Sequence, residues 1–197
     1  MSTIHIAILA SGSGSNAENI FNYFSERKDV EISLIISNKA GAYVHKRAER
    51  LGVPSLTMSK QDLEDSDKIL EVFKTFQIDF VILAGYLLRV PKGLIQAYLN
   101  RILNIHPALL PKFGGKGMYG DKVHMAVVEA GEKESGITIH YVNENYDEGD
   151  IVFQSKCSVL ENDTPEEVAS KVHALEYKYF PSVIDSIIKK EFGLVNN

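Results

Sequence analysis

Three short apolar runs, "HIAILA" (5–10), "VEISLIIS" (30–37) and "DFVILAG" (79–85), restrict this chain most, because stretches of helical spacing separate them. Ile20, Phe21 and Phe24 fall on one face of a helix expected over 16–27. A second helix is expected over 42–51, stopped by Gly52, and a third over 62–76, with Leu63, Ile69, Val72, Phe73 and Phe76 facing a core. "VPSLTM" reads as a short strand weakened at its start by Pro54, and a further helix is expected from Pro91 to Tyr98. "DFVILAG" is almost uninterruptedly apolar, as in a strand covered on both faces. A chain that alternates strand and helix in this way folds as a mostly parallel, doubly wound, Rossmann-like α/β sheet with helices on both faces. Right-handed crossovers then collect the loops that follow the strands on one edge.

The second half departs from that rhythm. "GITIHYV" (136–142) and "IVFQSKCSV" (151–159) are joined by "NENYDEGD", which leaves no room for a helix. The spacing predicts a mixed or antiparallel extension of the sheet. A long terminal helix follows, with Thr164 as N-cap, Pro165 at its first position and Glu167 completing a capping box; Pro181 is expected to kink or divide it.

With 197 residues and no repeat or linker, the chain is expected to form one domain, 1–197. Residues 1–100 would be a phosphate-binding nucleotide half and 101–197 a catalytic half. A net charge of −5 argues against general nucleic-acid binding. The single cysteine, Cys157, cannot form an internal disulfide. The N-terminus lacks a signal-peptide pattern and no apolar run reaches membrane-spanning length, so a cytoplasmic location is expected. No histidine or cysteine cluster has metal-ligand spacing, and no metal is expected.

"SGSGSN" lies between the first strand and the first helix, where main-chain N–H groups and the positive helix end suit a phosphate. Ser15 and Glu18 also have capping-box spacing, which offers a purely structural explanation. Gly12-x-Gly14-x-x-Ala17 partly matches a dinucleotide fingerprint. That fingerprint needs an acid about 20 residues later, where this chain has Ser37, Asn38 and Lys39. The phosphate of a mononucleotide-sized substrate fits better.

"LNIHP" ends a strand on polar residues. Asn104 and His106 are two apart, point to the same side of a strand, and can both donate to one oxygen, as the oxyanion of acyl transfer requires. A nearby carboxylate would keep the imidazole charged. Asp147 is the best candidate, with Glu144, Glu148 and Asp150 as alternatives in the same turn.

"LASGSGSN", "SNKAGAYVHKRAERLGVP", "VILAGYL", "LNIHPALLPKF" and "YDEGDIVFQSKCSV" together resemble the phosphoribosylglycinamide formyltransferases, a branch of the 10-formyltetrahydrofolate-dependent formyltransferase family. The resemblance covers essentially the whole chain. It implies formyl transfer from 10-formyltetrahydrofolate to the amine of glycinamide ribonucleotide in purine synthesis, by a monomer or homodimer that needs no nucleic acid or membrane. It implies Asn104, His106 and Asp147 as catalytic residues, and Gly14, Ser15, Asn16, His173 and Glu176 around the substrate phosphate and ribose. Tyr86, Leu87, Leu88, Arg89, Val90, His140 and Asp147 would meet the folate, with Thr138 bordering the site. Two departures stand out: Leu88 occupies a position where the family commonly has arginine, with Arg89 next to it, and the glycine-rich segment between Pro111 and His124 is long. That segment is expected to be a mobile loop, with Lys116 and Tyr119 as lid contacts or solvated side chains. A formyltetrahydrofolate hydrolase and a non-enzymatic nucleotide-binding module are the competing readings.

Overall fold

The computed structural model describes residues 3–194; residues 1–2 and 195–197 of the expected domain lie outside the described residues. Strands β1 (Ile4–Leu9), β2 (Val30–Ser37), β3 (Ser55–Thr57), β4 (Phe80–Leu83), β5 (Ile102–His106), β6 (Glu134–Tyr141) and β7 (Ile151–Ser158) form one sheet in the order β3-β2-β1-β4-β5-β6-β7. By internal contacts the chain divides into two compact units, Met1–Asn104 with His140–Asp150, and Ile105–Ile139 with Ile151–Asn197.

The first unit holds the parallel strands. β1 pairs with β2 on one side and β4 on the other, β2 pairs with β3, and β4 pairs with β5, all parallel. Between them run α1 (Ser15–Phe24), α2 (Val44–Leu51), α3 (Lys60–Glu64), α4 (Ser66–Thr75) and α5 (Lys92–Ala97). The core gathers Ala7, Leu9, Leu34, Ile36, Val81 and Leu83 from the strands with Leu63, Ile69, Phe73 and Leu94 from the helices. Every residue of β4 is buried, as its unbroken apolar run requires.

The second unit contains α6 (Asp121–Glu129) and α7 (Pro165–Phe192) with most of β6 and β7. The Val159 N–H donates to the Lys133 carbonyl at the far end of these strands. In the first unit the Tyr141 N–H donates to the Asp150 carbonyl, so β6 and β7 run antiparallel across their tight turn.

Four local expectations are corrected. The helix expected over 62–76 is two helices, because the Asp65 carboxylate accepts from the Asp67 and Lys68 N–H groups and so starts α4 where α3 ends. Ser15 and Glu18 form no capping box: Gly14, left-handed at φ 75°, is the N-cap, and Glu18 pairs instead with Arg47 and Arg50. Pro181 does not divide α7, which continues for 28 residues with Phe180, Pro181 and Ile184 buried; packing outweighs the lost hydrogen bond. The stretch before His124 is not all loop, since α6 starts at Asp121 and buries Val123, His124 and Val127.

Candidate active site

In the first unit, the order in which strands are added reverses between β1 and β4: β2 and β3 lie on one side of β1, and the chain then returns to place β4, also parallel, on the other. Open α/β sheets bind ligands beyond the carboxyl ends of strands at such a point. Here the loops after β1 and β4 are tied together. The Ser11 N–H donates to the Gly85 carbonyl at 3.0 Å, and the Leu87 N–H donates to Ser11 Oγ at 3.1 Å.

The glycine loop after β1 is braced by α2. The Val44 N–H donates to the Gly12 carbonyl at 3.2 Å and Arg47 Nε to the Ser13 carbonyl at 2.9 Å. Val44 also packs so closely on Gly14 that any Cβ there would overlap its side chain. Gly14 therefore needs to be glycine twice over, for its left-handed backbone and for this close approach. The loop presents the start of the ten-residue α1, where Ser15 and Asn16 occupy the first turn. Glu18 pairs with both Arg47 and Arg50, so those guanidiniums serve as braces.

Beyond β4, Tyr86, Leu88, Arg89 and Val90 line a cavity of about 70 Å³ together with Leu83, Asn104, His140, Val142 and the 143–147 turn. Leu87, by contrast, is exposed and joins the loop tie through its main chain. Burial pushes the Tyr86 hydroxyl well above the usual phenol range, so it stays protonated. Arg89 turns to the 143–147 turn: its Nη2 donates to the Glu144 carbonyl at 2.6 Å, and Lys92 Nζ lies 3.0 Å from the Glu144 carboxylate.

Asn104 is level with Leu83 at the end of β4. Its Nδ2 lies 3.1 Å from His140 Nε2 and 3.4 Å from Asp147 Oδ1, while His140 Nδ1 lies 2.9 Å from the Tyr141 carbonyl oxygen. Asp147 reaches this position with φ 57°, a left-handed backbone that aspartate tolerates better than most residues.

In the second unit, His106 is 3% exposed and its Nε2 lies 2.7 Å from the Phe113 carbonyl. A carbonyl only accepts, so this nitrogen carries a proton. Thr138 is a fastener: its hydroxyl donates to the Ala108 carbonyl at 2.6 Å and accepts from the Leu110 N–H and Gln154 Nε2. It thereby holds the segment that follows Pro107. Lys116 is exposed, and the ammonium of Lys122 sits over the half-exposed Tyr119 ring.

Along α7, Val168, Val172, Glu176, Phe180, Ile184 and Ile188 repeat every four residues on the buried side. A carboxylate on that stripe, 5% exposed, is held by His173 Nδ1 at 3.0 Å. The Glu176 hydrogen bond raises the His173 pKa against the opposing effect of burial. His124 packs edge-on to His173 with ring centroids 6.3 Å apart. Its pKa is lowered by burial first and by His173 second. Sequence reasoning did not single out His124, Ser11 or Arg47. For His124 the signal was present: Val123 and Val127 repeat at helical spacing, and Gly131 supplies a stop.

Cys157 is half-buried and burial raises its thiol pKa, which suits a packing residue better than a nucleophile. Among the described residues, no group of three or more histidine, cysteine or acidic side chains could hold a metal ion, and no helix is long and apolar enough to cross a membrane.

Comparison with known proteins agrees over nearly the whole chain. A family model described as formyl transferase matches residues 4–184. The chloroplastic phosphoribosylglycinamide formyltransferase of Arabidopsis thaliana is 44% identical over 94% of this chain, which spans only 65% of that relative. Phosphoribosylglycinamide formyltransferase of Bacillus subtilis is 36% identical over 92% of this chain and 93% of its own. Among solved structures, phosphoribosylglycinamide formyltransferase from Bacillus halodurans superposes with a TM-score of 0.86 at 35% identity, covering 98% of this chain and all of that one.

Proposed function

The chain belongs to the formyl transferase family, and from that premise we propose that it transfers the formyl group of 10-formyltetrahydrofolate to the amine of glycinamide ribonucleotide. The observation that carries this reading is the Asn104 amide in β5, level with the end of β4 and held in the cavity between the loop after β4 and the 143–147 turn.

In the proposed mechanism the α1 N-terminus, with Gly14, Ser15 and Asn16, receives the substrate phosphate, His173 also serves that phosphate, and Glu176 receives the ribose. Tyr86, Leu87, Leu88, Arg89 and Val90, with His140 and Asp147, surround the pterin. A cavity of about 70 Å³ is far below the ~300 Å³ typical of a ligand pocket, so the 143–147 turn must move outward to admit the folate. Its ties include Arg89 to the Glu144 carbonyl, Lys92 to the Glu144 carboxylate and the 3.4 Å contact of Asp147 with Asn104. The exposed Lys92–Glu144 pair contributes only roughly 0–1 kcal/mol.

The amine nitrogen attacks the formyl carbon, the carbonyl π pair moves onto oxygen, and Asn104 and His106 donate to that oxyanion. Asp147 keeps His106 protonated and organises the water that carries a proton from the amine to the departing folate nitrogen. Collapse re-forms the carbonyl as the C–N bond to folate breaks. We place the protein in the cytoplasm as a single 1–197 formyltransferase domain, with 1–100 as its nucleotide half and 101–197 as its catalytic and folate half, acting as monomer or homodimer. The test is a turnover assay with both substrates. Formylated ribonucleotide forming in step with tetrahydrofolate supports the reading; formate release independent of the ribonucleotide assigns hydrolysis instead.

A further inference from the structure

We infer that His140, besides lining the cavity proposed for the pterin, acts as a positioning residue that sets the orientation of the Asn104 amide; the inference rests on the formyl-transfer reading. An asparagine amide can present either its NH₂ or its oxygen to the developing oxyanion, and only NH₂ helps. Something must therefore choose between the two orientations.

The choice follows from a chain of three groups. The Tyr141 carbonyl oxygen accepts only, so His140 Nδ1, 2.9 Å away, carries the proton. In the neutral ring this leaves Nε2 with a lone pair, 3.1 Å from Asn104 Nδ2. Asp147 Oδ1, an acceptor, lies 3.4 Å from the same Nδ2. Two acceptors on one side of the amide hold NH₂ there and turn the carbonyl away. A doubly protonated His140 would instead set a donor against a donor. Its Nε2–H would then be left facing Asp147 at 3.6 Å, too long for a hydrogen bond. Of the two amide hydrogens, one is engaged by His140. The other has the longer, weaker contact to Asp147 and is the one left to serve the oxyanion in the same amide orientation. His140 is 2% exposed, so its ring is fixed by packing as well as by these bonds.

The experiment compares His140→Gln, His140→Asn and His140→Phe with wild type, measuring kcat and KM for both substrates. Glutamine can place an acceptor where Nε2 stands; asparagine and phenylalanine cannot. An oxyanion donor is worth about 10²–10³ in rate, so His140→Phe and His140→Asn should lose about 10–100-fold in kcat with both KM values within about twofold. His140→Gln should recover most of that loss. Asn104→Ala with His140→Phe should be no slower than Asn104→Ala alone, because one residue acts through the other. Additive losses, an unchanged kcat in His140→Phe, or a rise confined to the folate KM would overturn the inference. Nitrogen-15 spectra of wild-type His140 supply a readout that needs no variant to fold: the Nδ1–H tautomer is expected, and the Nε2–H tautomer or the cation contradicts it. Should wild type transfer no formyl group, the functional reading fails, whereas the tautomer and its coupling to Asn104 remain open to the spectra.

Discussion

Replacing Gly149 with alanine tests whether the turn that carries Asp147 is built around one close backbone contact. A Cβ on Gly149 would overlap the Tyr141 carbonyl oxygen, reach its carbonyl carbon at 2.8 Å and stand 3.4 Å from the Asn143 nitrogen. These are main-chain atoms, so no flexible side chain can yield. Gly149 has no positive φ; without the contact, alanine would stabilise by about 0.4–1 kcal/mol through the unfolded chain. Overpacking costs about 1–3 kcal/mol, and a rigid neighbour puts this case at the upper end. The net loss is about 2 kcal/mol, a large share of the ~5–15 kcal/mol that holds a domain together. With a urea slope of about 2 kcal/mol per M, the midpoint should fall by about 1 M. The displaced carbonyl is also the one that accepts the hydrogen bond from His140 Nδ1. Turnover measured well below the unfolding midpoint should therefore fall as well. An unchanged or higher midpoint would refute the reasoning.

Gly14→Ala should cost about 2–5 kcal/mol, the sum of a left-handed backbone and a collision with Val44. Thermal unfolding measures that loss, and ribonucleotide affinity should fall with it. His124 is depressed below its ordinary value of 6.5, so the unfolded chain binds its proton first. Its contribution to stability is full above pH 6.5 and is lost as pH falls through the lower folded-state value. His124→Phe should flatten that acid limb in urea titrations across pH 4.5–7 (about two units around the ordinary histidine value); an unchanged limb would remove His124 from the account. His173 shifts the opposite way: its contribution is full below pH 6.5 and is lost as pH rises through the raised folded-state value. Glu176→Gln should return the His173 titration, followed by NMR, toward its ordinary value.

The strands of the first unit were legible because strong local signals agreed with the global arrangement. The apolar run ending at Leu83, the Gly52 stop and the Thr164–Glu167 capping box all appear where the side-chain chemistry requires. Errors arose where a distant partner decides. Glu18 has the spacing of a capping residue, but Arg47 and Arg50, about 30 positions away, claim it. Asp65 looks like an exposed helix residue until its side chain caps the next helix. The glycines at 115, 117 and 120, all at positive φ, drew attention away from the helix that follows them. Asn104 and His106 could be named because polar residues at a strand end are conspicuous. His140 could be named only through the family resemblance, and its contact with Asn104 not at all, because the carbonyl of Tyr141 has no side-chain signature and 36 residues separate Asn104 from His140.

The central claim is that this chain moves a formyl group onto an amine by hydrogen-bond donation from Asn104 and His106. The most direct measurement follows formylated ribonucleotide by mass spectrometry in single turnovers of wild type, Asn104→Ala and His106→Ala, with saturating 10-formyltetrahydrofolate and glycinamide ribonucleotide. The account predicts product in wild type and rates lower by about 10²–10³ for Asn104→Ala, with His106→Ala losing most of its turnover while remaining folded. Product formed at near-wild-type rates by both variants would contradict it.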